Sequence, residues 1–313
     1  MASMPHRALG NSGIDVSIMS LGSWRTYERM SREAGLAVMA AARDAGIDFL
    51  DDARYDDERG TAPIPTGYSE VVFGELFRSS GWRRDEVTIA NKLWWEHWPR
   101  EDATAELDGS LTRMKLDHVD LIYAVAPPPN LPIAEVVGQV TALIESGRAR
   151  AWGTGMWSAA QMAEAIDWCD RFRIAPPAAA QMSCSIVDHQ AATEPAMQAA
   201  MGRGGVGLVA ANVLAGGILS GKYLDGASGR AADDESASAH QARQTAHRLA
   251  ELANAWGVAT SHLAFAYALE HPHLASVVFG ATSPEQVRSN VASIAVHDQL
   301  TRDQLDAIMA LAG

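Results

Sequence analysis

The stretch GIDFLDDARY, Gly46 to Tyr55, runs from a glycine through a short apolar strand into two carboxylates and a tyrosine. In a barrel of parallel strands, residues just past the C-terminal end of a strand face the catalytic mouth, which would put Asp51, Asp52 and Tyr55 there. VTIANK, Val87 to Lys92, reads as another strand ending in a lysine. With the two strands as neighbours, an ammonium, a carboxylate and a phenol meet at one mouth. That set suits general-acid chemistry, because a nearby ammonium lowers a phenol's pKa from about 10 and a carboxylate can hold the lysine. The plainer alternative has Asp51 capping the next loop, Tyr55 packing on the surface and Lys92 in solvent.

Outward from this stretch, strands and helices alternate. Residues 5–18 read as a hairpin around Gly10-Asn11-Ser12-Gly13, placed to plug the bottom of a barrel. Val16 to Leu21 is expected as the first barrel strand. Helices are expected at Arg32 to Ala45, from Ser69, and at Ala103 to Met114, Ile133 to Ser146, Ala160 to Phe172 and Glu194 to Met201. The later ones are Gln241 to Trp256, Ser261 to Leu269, Pro284 to Ile294 and Arg302 to Leu311. Strand ends fall near 22, 51, 91, 124, 154, 182, 212 and 279. Such alternation requires a parallel sheet, and this number of strands closes into an α/β (β/α)8 TIM barrel with an N-terminal hairpin and extra C-terminal helices. A chain of 313 residues without a linker fits one domain, 1–313.

Composition narrows the partners. A net charge of −13 repels phosphate backbones and anionic lipid, so neither nucleic acid nor membrane is expected. No long apolar run or signal layout occurs. The two cysteines, Cys169 and Cys184, have no pairing spacing, which points to the cytoplasm. The histidines lack ligand spacing, so no metal is expected. Oligomeric state, a homo-oligomer included, stays open.

An anion in so acidic a chain needs a local basic pocket. FGATSPEQVRSN, Phe279 to Asn290, follows the last strand, and Ser283, Pro284 and Gln286 spell a capping box at a helix start that could receive an anion. LAGGILSGKY, Leu214 to Tyr223, supplies Lys222, and Arg230 follows. Solvated cations and an ordinary helix start are the alternative. The insertion Asp56 to Gly67 is near the length at which loops tend to be functional, and is expected to form part of a lid. Trp94, Trp95 and Trp98 suggest an aromatic-walled pocket, or packing against a helix.

Taken together, RALGNSGIDVSIMSLGSW, YSEVVFGELF, GWRRDEVTIANK, AWGTGMWS, LAGGILSGKY and FGATSPEQVRSN resemble, in this order, the aldo-keto reductase superfamily. The branch containing the potassium-channel β subunits is the most similar. The resemblance implies an NADPH-dependent oxidoreductase acting on a small carbonyl substrate. It implies Asp51 and Lys92 as the family's carboxylate and lysine, and Ser23, Trp24, Asp51 and Gln181 as contacts around the nicotinamide. Leu214, Lys222, Arg230, Gly280, Thr282, Gln286 and Asn290 match the phosphate and adenosine end. The family tyrosine stands one residue later than Tyr55, where this chain has Asp56. Tyr55 is therefore the expected general acid and Tyr68 the substitute. Val125, Gly155, Met156 and Ala211 fall where the family or this branch has a hydrogen-bonding, polar, basic or aromatic residue. An NADPH-binding regulatory protein with weak or no catalysis is the alternative.

Overall fold

The computed structural model describes residues 3–224, 231 and 234–312. β1 (His6–Ala8) and β2 (Asp15–Ser17) pair antiparallel, with His6 opposite Ser17. Their turn needs glycine: at Gly10, with φ +54°, a Cβ would come within 2.2 Å of the Ala178 carbonyl oxygen. The hairpin lies against the barrel base, where Arg7 donates to the Leu274 carbonyl at 3.0 Å and Asn11 to that of Gly204 at 3.3 Å. From it Leu9, Ile14 and Val16 join Phe49, Leu121 and Tyr123 in the barrel interior. Emptying such a position, as in Phe49→Ala, typically costs about 3–5 kcal/mol.

The barrel is β3 (Met19–Gly22), β4 (Phe49–Asp51), β5 (Thr88–Leu93), β6 (Val119–Val125), β7 (Ala149–Gly155), β8 (Ala179–Ser183), β9 (Gly207–Ala211) and β10 (Leu274–Phe279). They are parallel in chain order, and β10 closes on β3 with Phe279 opposite Leu21. Around them run α1 (Arg32–Asp44), α2 (Tyr68–Ser79), α3 (Ala103–Met114), α4 (Ile133–Glu145), α5 (Ala159–Phe172), the short α6 (Gln190–Thr193) and α7 (Pro195–Gly204). Between β9 and β10 come α8 (Ala237–Trp256) and α9 (Thr260–Leu269), and α10 (Pro284–Gln299) and α11 (Arg302–Met309) follow. The expected TIM barrel, hairpin and C-terminal helices are all present. No helix among the described residues is long and apolar enough to cross a membrane.

Some boundaries differ for local reasons. Val16 and Ser17 belong to the hairpin, because the Ile18 N–H turns to the Pro5 carbonyl at 2.9 Å and the barrel strand starts only at Met19. α8 begins at Ala237 rather than Gln241, since the Ser236 hydroxyl accepts from the Ala239 N–H at 3.2 Å as its cap. The insertion after Tyr55 is closed at its base: Asp56 bridges Thr66, and the Gly67 N–H donates to the Tyr55 carbonyl at 2.8 Å. Its Glu58 accepts from Arg25 at 2.5 Å and from Arg29 at 2.8 Å, which ties it to the loop after β3.

Candidate active site

Asp51, the last residue of β4, is buried and uses both carboxylate oxygens. Lys92 Nζ donates to Oδ1 at 2.5 Å and Gln181 Nε2, from β8, to Oδ2 at 2.8 Å. Lys92 and Asp51 are only 7% and 5% exposed, so removing either charge strands the other in the interior, a loss of about 3–5 kcal/mol. The ammonium also lies 3.5 Å from the Tyr55 hydroxyl and 5.6 Å from the Tyr123 ring centre, whose negative face favours a cation. The cation, carboxylate and phenol expected at one mouth are together.

Tyr68 is engaged elsewhere. Its hydroxyl accepts from Arg32 Nη2 at 3.1 Å, and that guanidinium lies over its ring at 5.7 Å. Val125 is buried, and its carbonyl accepts from Trp95 Nε1 at 3.0 Å. That bond makes Trp95 a packing residue, whereas Trp94 meets the Tyr55 ring edge-on with 6.1 Å between centres. Trp98 is partly buried against the core. Two large apolar side chains at the mouth are open to solvent, Trp24 after β3 (44% exposed) and Met156 after β7 (63% exposed). The Met156 N–H donates to the Gln181 carbonyl at 3.1 Å, and the Gly155 carbonyl accepts from the Ala126 N–H. Ala211 ends β9, half-buried.

Past β9, Gly216 and Gly217 take φ +69° and +97°, a backbone that side chains rarely adopt, and the Leu214 carbonyl accepts from the Gly217 N–H at 2.9 Å. The exposed Lys222 folds over them: a Cβ on Gly217 would come within 3.4 Å of Nζ. Arg230 lies outside the described residues. Past β10, Gly280 passes close to Thr26, whose methyl would stand 3.0 Å from a Cβ there. Ser283 caps α10 by accepting from the Gln286 N–H, but the Gln286 side chain accepts from the Thr282 N–H at 2.8 Å and not from that of Ser283. The expected capping box is thus displaced by one residue at its second arm. Asn290 is buried, with its carbonyl accepting from Ser293 Oγ. Adjacent strand ends therefore offer a lysine over a glycine turn and a helix start with exposed polar side chains, a set that fits a phosphate-bearing dinucleotide.

The sequence profile of the aldo/keto reductase family matches residues 18–312. The chain belongs to that family. One relative, named a probable voltage-gated potassium channel subunit beta of Oryza sativa subsp. japonica, is 30% identical, over 98% of this chain and 96% of its own. A protein of the same name from Arabidopsis thaliana is 29% identical, over 97% and 95%. Membership in the aldo/keto reductase family implies NAD(P)H-dependent reduction of a small carbonyl compound.

The electrostatics of this aldo/keto reductase depart from the expectation for Tyr55. The phenol's pKa is raised well above 10, first by burial and then by Asp51, Asp52, Glu28 and Glu70. Lys92 does not reverse this, because its charge is balanced by Asp51 at contact distance. Tyr55 therefore stays protonated through the neutral range. Asp52 is fully buried; Ser23 Oγ donates to its Oδ1, while Oδ2 is among the buried oxygens without a hydrogen bond. Burial first, then Glu70, raises its carboxyl well above the usual range. The fully buried Tyr27 hydroxyl is pushed up likewise, by burial and by Asp52.

Sequence reasoning missed Glu106 of α3. Its carboxylate accepts from the Trp94 and Trp95 N–H groups at 2.8 and 3.1 Å and pairs with Arg54 at 3.3 Å. The available signal was an acid within the apolar face of a helix, beside Leu107.

Proposed function

We propose that the chain is an NADPH-dependent reductase of aldehydes or ketones, with Tyr55 as general acid, and that it works as one domain. The observation that carries this reading is the contact of Lys92 with both Asp51 and Tyr55, while Tyr68 is held by Arg32. When bound, NADPH supplies the hydride. Trp24, Ser23 and Gln181 would hold its nicotinamide end. Leu214, Lys222 and Arg230 would take the phosphates, and Gly280, Thr282, Gln286 and Asn290 the adenosine end.

The chain's own residues supply the proton. The Tyr55 hydroxyl donates to the substrate oxygen, and the phenolate it leaves faces the Lys92 ammonium, held in place by Asp51. Because burial, and after it the surrounding carboxylates, make Tyr55 a weak acid, slow turnover is expected. The two buried free thiols support a reducing, cytoplasmic setting.

A second reading, an NADPH-binding regulatory protein, is favoured by Val125, which can offer no hydrogen bond from its side chain, and by the exposed Met156. NADPH binding followed by fluorescence, beside turnover on a panel of aldehydes and ketones, separates the two. Binding with turnover supports the reductase, and binding without turnover supports the regulatory protein.

A further inference from the structure

Asp51 is held from two sides, by Lys92 on Oδ1 and by Gln181 Nε2 on Oδ2. Directly across from Lys92, on β6, stands Tyr123, fully buried, with its ring centre 5.6 Å from the ammonium. β7 leaves room for that ring: a Cβ on Gly153 would stand 3.0 Å from Tyr123 Cδ1. Burial first and then Asp51 raise the phenol's pKa well above 10, while Gln181 acts in the opposite sense. The hydroxyl therefore keeps its proton and sits beside the Asp51–Gln181 pair, yet it has no hydrogen-bond partner among the described residues. A buried O–H without an acceptor has given up water and received nothing, so such groups are rare and call for a reason.

We propose that Gln181 and Tyr123 are alternative partners of Asp51 Oδ2: when Gln181 turns to a nicotinamide carboxamide, the Tyr123 hydroxyl takes its place on the carboxylate. The proposal rests on the cofactor reading above, which assigns Gln181 to the nicotinamide end. Gln181 is half-buried and has room to turn, whereas Asp51 and Lys92 are buried and fixed on each other. Without a replacement donor, the turn would leave a buried carboxylate oxygen unpaired, next to the ammonium that serves Tyr55. Among the described residues two buried tyrosine hydroxyls lack a partner, and they are told apart by their neighbours: Tyr27 feels Asp52, and Tyr123 feels Asp51 and Gln181. Tyr123 is then a positioning residue. Fully buried, it meets neither cofactor nor substrate, and it keeps Asp51, and through it Lys92, in place while the cofactor is bound.

Tyr123→Phe keeps the ring and removes the hydroxyl. Because that hydroxyl makes no bond while Gln181 holds Asp51, the unfolding midpoint of the cofactor-free variant should stay close to that of the unmodified protein. NADPH should bind about tenfold more weakly or worse, as for other lost hydrogen bonds to a charged group. Adenosine 2′,5′-bisphosphate, which has the adenosine end and no nicotinamide, should bind unchanged. A merely structural role for Tyr123 would lower the midpoint and weaken both nucleotides alike. In protein labelled with 13C at the tyrosine ζ carbon, the Tyr123 resonance, identified by its loss in Tyr123→Phe, should move downfield on adding NADP+ and stay in place on adding the bisphosphate. Gln181→Met removes the amide without any cofactor, so the same resonance should already lie downfield in that cofactor-free variant. Equal weakening of both nucleotides, unchanged NADPH affinity in Tyr123→Phe, or an unshifted resonance in Gln181→Met overturns the proposal. If the unmodified protein binds no NADPH, the cofactor reading fails on its own, and Gln181→Met still decides whether Tyr123 takes over Asp51.

Discussion

The Tyr55 hydroxyl lies 3.5 Å from the Lys92 ammonium even though Tyr55 stands only four residues after Asp51. The hydrogen bond from the Gly67 N–H to the Tyr55 carbonyl, and the Asp56–Thr66 bridge beyond it, let the chain turn just after the tyrosine. The insertion thus absorbs the shortened spacing, and Lys92 meets the phenol across the two strand ends.

The raised pKa of Tyr55 predicts the alkaline side of the rate profile. A proton donor whose pKa lies well above 10 keeps its proton at every pH below that value. Carbonyl reduction should therefore show no loss of the acid between pH 6 and 9.5, followed as kcat by NADPH absorbance. An apparent pKa of 7 to 8 for loss of activity would show that Lys92 does lower the phenol.

Asp52 gives a stability prediction. Its folded pKa lies above the unfolded value of about 3.9, so its contribution is fully present below pH ~4 and is lost as pH rises through the folded value. At pH 8 the buried acid works against folding. Asp52→Asn, which keeps shape and can still accept from Ser23, should raise Tm at pH 8 and have a much smaller effect near pH 4. Thermal unfolding at the two pH values checks this, and a larger gain at pH 4 would reverse the sign.

These two predictions rest on features that the sequence carries unequally. α3 was legible to the residue, because Asp102 caps its start and the chain leaves it at Lys115 with φ +56°. The start of β3 was not, since the hairpin and the barrel strand share one apolar period across Ile18. Asp51, Tyr55 and Lys92 could be read as a cluster because strand ends of a parallel barrel converge. The sign of the Tyr55 pKa could not, because it depends first on how deeply folding buries the phenol and then on how close Asp51, Asp52, Glu28 and Glu70 come to it. The bond from Gln181 to Asp51 spans 130 residues, and no local pattern encodes it.

Cofactor preference tests the phosphate end. NADPH should bind more tightly than NADH, and replacing Lys222 and Arg230 together by alanine should remove most of that preference, by about tenfold or more if each charge is worth about 1 kcal/mol at the surface. Titration of protein fluorescence with both nucleotides measures it. Equal affinities in the unmodified protein would rule out the assignment.

The insertion tests the lid. Replacing residues 57–65 with Asn-Gly keeps the Asp56–Thr66 bridge across a two-residue turn and removes Glu58 from Arg25 and Arg29. KM for the carbonyl should change several-fold while the NADPH Kd stays nearly constant. An equal loss of cofactor affinity would show that the segment serves the fold.

The most direct measurement is carbonyl reduction by Tyr55→Phe, compared with Tyr68→Phe and Lys92→Met in the same assay. Removing the Tyr55 hydroxyl should abolish turnover and leave NADPH binding and unfolding midpoint close to the unmodified protein. Lys92→Met should be nearly as inactive and also less stable, because Asp51 is left buried without its partner. Tyr68→Phe should be close to neutral. Full activity in Tyr55→Phe with collapse in Tyr68→Phe would move the acid to Tyr68, and full activity in both would contradict the tyrosine mechanism for this chain.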